Sequence, residues 1–163
     1  MIAVGEPFES FFRREYRPVL GLAFVLCGDR WVAEELTMEA FEAALRNWAS
    51  VSGIESPGGW VRTVVANASV SRFRRMAAET RARIRLSRKS EGVVLDETRN
   101  AEVWEAVRHL PKRQAQTVAL FYLEGYSRRE IAASLGISEE SVKTHLERAR
   151  RRLEKELGDH VER

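Results

Sequence analysis

The chain has little of what most enzymes and secreted proteins carry. A single cysteine, Cys27, stands among 163 residues, so no internal disulfide framework can form. Cys27 follows the apolar run Leu22 to Leu26 and reads as a small core residue. His109, His145 and His160 are far apart and have no cysteine partners, so neither a metal site nor a cofactor is expected. The pair Gly58-Gly59 is too weak a signal for a phosphate-cradling loop. No serine, histidine and acid stand in a recognisable catalytic order, so the chain reads as a binding protein, not an enzyme. No apolar run approaches the roughly 20 residues that span a bilayer. The N-terminus also lacks a basic start, apolar stretch and cleavage site. The expected setting is the cytoplasm, with no membrane insertion. No stretch alternates with the period of a strand, and no internal repeat or low-complexity tract is present.

What is present is hydrophobic content for packed cores, 44%, and an uneven charge distribution. The net charge is only +3. Yet residues 62–89 hold nine basic side chains and one acidic one, while residues 1–61 hold five and nine. A dense positive block inside a nearly neutral chain points to a polyanion partner.

The stretch SRREIAASLGISEESVKTHLERARRRL, Ser127 to Leu153, is the most informative. Ser127 with Glu130 predicts a capping box. Ile131, Ala132 and Leu135 share one helical face, and Gly136 suits a left-handed helix stop. Ser138 can cap the next helix, with Glu139 and Glu140 at its positive end. Val142, Leu146, Ala149 and Leu153 form its apolar seam. Ser141, Lys143, Thr144, Glu147, Arg148 and Arg151 lie off that seam. Two short helices meeting at a glycine turn, the second with a polar and basic outer face, describe a helix-turn-helix that enters the major groove of DNA. Lys143 and Thr144 should approach base edges, and Arg148, Arg150, Arg151 and Arg152 can reach phosphates or bases. Glu147 either accepts from a cytosine amino group or, more commonly for such a residue, pairs with nearby arginines.

Upstream, the periodicity predicts a helix over 8–27, with Pro18 inside it and Gly28 ending it. Asp29 caps a second helix from about Arg30 to Trp48, with Val32, Leu36, Ala40, Phe41, Leu45 and Trp48 inward. Glu34, Glu35, Glu39 and Glu42 form an outward acidic strip, which serves either plain solvation or docking of a basic or polar partner. Residues 49–59 read as a loop. Ser56 and Pro57 start a long helix with Trp60, Val61, Val64, Val65 and Ala68 inward. It turns basic at Arg72, Arg74, Arg75 and Arg81, continuing to Lys89, and should fade near Ser87. A basic wall beside Trp60, Phe73 and a polar loop suits single-stranded bases, although Trp60 itself reads first as a core residue. Residues 87–100 read as a linker. Glu102 to Leu110 form a helix, Pro111 opens another with Val118, Leu120, Phe121 and Leu123 mainly buried, and Gly125 stops it. The tail after Gly158 should fray. The fold expected is all-α: two small helical domains, 1–86 and 101–163, joined by the linker 87–100.

These motifs together resemble the sigma-70 family of bacterial RNA polymerase sigma factors, specifically the short extracytoplasmic-function (ECF) group. Gly28–Trp48 and Ser56–Arg75 are similar to sigma region 2, and Leu110–Leu153 to region 4. The resemblance implies that Glu34, Glu35, Leu36, Met38, Glu39 and Glu42 dock on the clamp helices of the polymerase largest subunit. It implies that Arg62, Asn67, Ser71, Arg72, Arg74 and Arg75, with loop 51–59, read and melt the minus-ten element. It assigns the minus-thirty-five element to Ser141, Lys143, Thr144, Glu147, Arg148 and Arg151. The linker would thread toward the active-site and RNA-exit channel, and an anti-sigma factor is the usual regulator. Met38 replaces the glutamine common in the family, and Ser71 replaces an aspartate.

Two other readings share parts of this pattern. An autonomous LuxR-type regulator has a similar DNA-binding unit, but the first half lacks the strand pattern of a receiver domain. A sigma-like adaptor would bind polymerase and start no transcripts.

Overall fold

The computed structural model of the chain describes residues 5–82 and 100–161. Among the described residues every regular element is helical. The front unit comprises α1 (Phe8–Cys27), α2 (Arg30–Arg46), the single turn α3 (Trp48–Val51) and α4 (Pro57–Ala82). The rear unit comprises α5 (Ala101–Arg108), α6 (Lys112–Val118), which runs on into a π-helical turn (Ala119–Leu123), α7 (Arg128–Leu135) and α8 (Glu139–Val161).

Side chains and glycines mark the helix ends as local chemistry requires. Gly28 ends α1 at φ 74°, and its amide bonds Phe24 O at 2.8 Å. A side chain at Gly28 would meet only the movable guanidinium end of Arg108, at 2.9 Å, so it is the left-handed backbone that asks for glycine at this turn. Asp29 Oδ1 accepts from Val32 N at 3.1 Å and caps α2. Ser56 Oγ accepts from Gly59 N at 3.0 Å at the start of α4.

The front core is built from aromatic rings. Phe11 and Phe41 are buried together, with ring centroids 5.8 Å apart, and Phe8, Phe12, Tyr16 and Trp48 surround them. Trp48 is held by a hydrogen bond from its indole Nε1 to Glu6 O at 3.1 Å. Trp60 is half-buried against this core, in keeping with its inward placement. Cys27 is buried here too, its Sγ donating to Asp29 O at 3.3 Å. Desolvation pushes the Cys27 thiol up to about 11.

A second core joins the units. Leu22, Val25 and Leu26 of α1 and Ala66 and Val70 of α4 cluster with Val107, Leu110, Ala115, Val118, Ala119 and Leu120 of the rear unit. The same cluster continues through Ile131, Leu135, Val142, Leu146 and Ala149, so the helix-turn-helix stands on the far side of it. Arg108 reinforces the join by donating from Nε to Val25 O at 3.0 Å, near the carbonyl end of α1 where a cation is favoured.

Several expectations need correction. The inward stripe of α2 is Ala33, Leu36, Thr37, Ala40, Phe41 and Ala44. Leu45 lies one residue, about 100°, past that stripe and is 54% exposed. The helix stops at Arg46 rather than Trp48. Asn47 folds back, its side-chain Nδ2 and backbone N both bonding Ala43 O. The predicted loop 49–59 therefore begins with the helical turn α3. Leu123 is 41% exposed because the π-helical turn shifts the register ahead of Gly125. The end of α8 continues past Gly158 to Val161 instead of fraying. The fading of the basic helix near Ser87, and the linker through residue 99, lie outside the described residues.

Candidate nucleic-acid interface

The helix-turn-helix forms as its sequence dictates. Ser127 Oγ accepts from Glu130 N at 3.1 Å while Glu130 Oε2 accepts from Ser127 N at 2.8 Å, closing the capping box of α7. Gly136 turns the chain at φ 66°, and Ser138 Oγ accepts from Ser141 N at 3.0 Å to start α8. Val142, Leu146 and Ala149 are all buried, so α8 has one orientation on its unit. The outer face then presents Lys143, Glu147, Arg148 and Arg151, all exposed. Ser141 and Thr144 are half-buried. The Ser141 hydroxyl bonds Ser138 Oγ at 2.9 Å, and the Thr144 hydroxyl donates to Glu140 O at 3.0 Å. Both hydroxyls thus stiffen the first turns of the helix. Glu147 makes no ion pair among the described residues, so arginine pairing does not account for it.

Two neighbours shape this face. Arg150 donates from Nε to the Tyr122 hydroxyl at 2.7 Å, with its guanidinium 5.8 Å from the ring centre. The π-helical turn thereby holds one arginine of the basic run in place. Burial, then Arg148 and Arg113, holds the His145 imidazole below its usual value, which favours the neutral form in the middle of α8.

The six front-unit residues assigned to strand reading do not form one open surface. Ser71, Arg74 and Arg75 are exposed on α4, and Arg72 is half-buried with Nη2 on Glu35 Oε1 at 3.2 Å. Arg62 is almost enclosed, its side chain 10% exposed. Its Nη1 lies 2.8 Å from Glu15 Oε2 and its Nε 2.5 Å from Glu124 Oε2, while Nη1 also donates to Gly58 O. Burial works against the Arg62 charge, but Glu124 and then Glu15 more than offset it, so its pKa is raised. Asn67 Oδ1 accepts from Gln116 Nε2 at 2.9 Å. Arg62 and Asn67 are thus held by rear-unit side chains, and Arg74 lines a shallow cleft with Arg108, Pro111 and Arg152 of that unit. The basic residues from Arg83 to Lys89 lie outside the described residues.

On α2, Met38, Glu35, Glu39 and Glu42 are exposed, and Glu34 pairs with Arg30 at 3.2 Å. Leu36 is 5% exposed, so it holds the helix to the core and cannot itself touch a docking partner. Two residues were missed by sequence reasoning. Trp31 is 75% exposed and Leu45 54%, and with Met38 they recur every seventh residue. That interval keeps an α-helix on nearly one face, so the stripe was legible as spacing.

Between loop 54–56, the start of α4 and the start of α7 lies a cavity of ≈ 930 Å³, with Trp60, Thr63, Val64, Tyr126, Arg129 and Glu130 among its walls. Among the described residues no cluster of three metal-ligating side chains occurs, and no helix is long and apolar enough to cross a membrane.

Comparison with known proteins agrees with this geometry. Family models match residues 11–79 as sigma-70 region 2 and residues 100–153 as sigma-70, region 4. The chain is 31% identical over 157 residues to the ECF RNA polymerase sigma factor SigM of Mycobacterium tuberculosis, covering 93% of this chain and 77% of the relative. It is 30% identical over 166 residues to the ECF RNA polymerase sigma factor BldN of Streptomyces coelicolor, covering 96% and 61%. The sigma factor RpoE of Bartonella quintana, solved in complex with the anti-sigma factor NepR, shares the fold with a TM-score of 0.69 at 20% identity, over 93% of this chain and 96% of that one. With both sigma regions in order and a relative at this identity along most of its length, the chain belongs to the ECF group of sigma-70 family RNA polymerase sigma factors.

Proposed function

We propose that the chain binds core RNA polymerase through the exposed face of α2 and directs promoter-specific initiation with its two helical units. Residues 1–86 act on the minus-ten element, 87–100 link, and 101–163 read the minus-thirty-five element. The observation that carries this reading is the outer face of α8. Its seam Val142, Leu146 and Ala149 is buried while Lys143, Glu147, Arg148 and Arg151 stand out together. The chain acts by binding and takes no catalytic role. Its workplace is the cytoplasm, and its proposed regulator is an anti-sigma factor, as bound to the Bartonella relative. Polymerase would hold both units at one spacing, turning two weak contacts into a strong one through effective concentration.

Run-off transcription tests the proposal. Core polymerase with the chain should start transcripts from one class within a randomised promoter library, and the chain alone should leave no strong footprint. A footprint without polymerase would favour the autonomous regulator, and core binding without transcripts the adaptor. Within the same assay, Lys143→Ala or Arg148→Ala should weaken duplex binding. If the lost contact is to phosphate, the salt slope should fall by about 1 while core capture is unchanged.

A further inference from the structure

We propose that the cleft between the later half of α4 and the corner joining α5 to α6 binds a nucleoside di- or triphosphate, with its phosphates on Arg74 and Arg152 and its base against Phe73. Two hollows adjoin there, of ≈ 400 and ≈ 390 Å³. Phe73, Ala77, Arg108 and His109 line both. Met76, Thr80 and Glu105 line only the first, and Arg74, Pro111 and Arg152 only the second. Among the described residues no carboxylate lines the second hollow. Arg74 and Arg152 are exposed and make no ion pair among the described residues, whereas Arg13, Arg14, Arg30, Arg62 and Arg72 each have a carboxylate partner. Arg108 is anchored through Nε on Val25 O at 3.0 Å and adds its charge to the same wall.

Cations gathered in one concavity without a counter-charge repel one another, and a compact anion converts that repulsion into attraction. Guanidinium is also the cation whose planar fork fits phosphate oxygens two at a time. Beside this basic hollow stands an aromatic wall. Phe73 and His109 meet edge-on, with ring centroids 5.5 Å apart at 74°, and both hollows share them. A base can stack on such a ring whatever its identity. Glu105 stands only in the first hollow, where its carboxylate repels phosphate and accepts from the N–H groups of a base. The occupant therefore has a direction: highly charged at one end, flat and N–H-bearing at the other. A nucleoside di- or triphosphate has that form, and the adjoining hollows fall within the roughly 300–1,000 Å³ of small-molecule sites.

Calorimetric titration of the full-length chain with GDP, in buffer containing EDTA, supplies the test. The wild type should bind GDP with a dissociation constant below about 100 μM, and inorganic pyrophosphate about tenfold more weakly because it lacks the base. Arg74→Gln and Arg152→Gln should each weaken GDP binding about tenfold, the worth of one charge-assisted bond, and should melt with the wild type because neither side chain is bonded in the fold. Arg128→Gln removes the same charge from an exposed position elsewhere and should stay within about twofold of wild type. Phe73→Leu should bring GDP down to the level of pyrophosphate and leave pyrophosphate binding unchanged. A dinucleotide whose only phosphate is an internal diester should bind at least about tenfold more weakly than GDP, since it brings a single charge. No GDP binding at about 1 mM would overturn the proposal. So would an equal loss in Arg128→Gln, which would mean diffuse attraction to a basic chain. GDP and pyrophosphate binding alike to wild type would remove the base from the site, and a diester binding as well as GDP would make the cleft a contact for nucleic-acid backbone. Either result refutes the assignment. These titrations contain neither polymerase nor promoter, so their outcome is independent of run-off transcription.

Discussion

Trp31→Ala should weaken capture by core polymerase about 30-fold and leave the melting temperature of the chain unchanged. Trp31 is 75% exposed on α2, so its removal opens no cavity. A tryptophan so displayed, on one line with Met38 and Leu45, is poorly accounted for by folding alone. Against a helical partner, one contact per seven residues is the repeat at which two helices keep meeting along a shared seam. Truncating a central aromatic anchor of an interface typically costs at least ~2 kcal/mol, and ~1.4 kcal/mol is tenfold in affinity, which gives the factor. The acidic neighbours Glu35, Glu39 and Glu42 should matter less and mainly for association rate, because exposed charges steer more than they hold. Anisotropy titration of labelled protein into core polymerase, beside a thermal melt, measures both halves of the expectation. An unchanged dissociation constant would remove α2 as the docking face. A lowered melting temperature would mean that Trp31 is structural.

Phe41→Ala should do the reverse, lowering the stability of the fold rather than removing an exposed contact. Phe41 is 1% exposed, with ring centroids of Phe12, Phe11, Tyr16 and Phe8 at 5.0, 5.8, 6.2 and 6.5 Å. Losing a phenyl group from such a site costs about 3–5 kcal/mol, because the rings around it cannot collapse into the space. For a chain of this size that is a drop of about 10 °C in melting temperature. The second core shared by α1, α4 and the rear unit should spread the loss, so calorimetry should show one transition moving down. A front transition falling alone, with the rear unmoved, would show that the shared core does not couple the units.

How much of this was legible in the sequence depended on the range of the interaction. Caps and stops are local, and Asp29, Ser56, Ser127, Gly136 and Ser138 each sit where their chemistry alone puts them. The buried seam of α8 was equally plain, since Val142, Leu146 and Ala149 repeat at helical spacing beside charged residues. The end of α2 was less plain: Asn47 closes it locally on Ala43 O, but Trp48, which continues the apolar pattern, is held by a bond to Glu6 that spans 42 positions. Leu45 misled because hydrophobic character says nothing of which face it occupies once Ala33, Ala40 and Ala44 fill the inner one. The family assigned Arg62 and Asn67 to DNA, and their types fit that use. Their partners Glu124 and Gln116 lie about 50 to 60 positions away in the other unit, so only the folded chain places the four together.

Cys27 has a quieter implication. With its thiol pushed up to about 11, only on the order of one molecule in ten thousand carries the reactive anion at neutral pH. Burial at 2% exposure closes off that fraction as well. A disulfide reagent should therefore leave Cys27 unmodified in the folded chain, so the exposed thioether of Met38, not this thiol, is the sulfur open to peroxide.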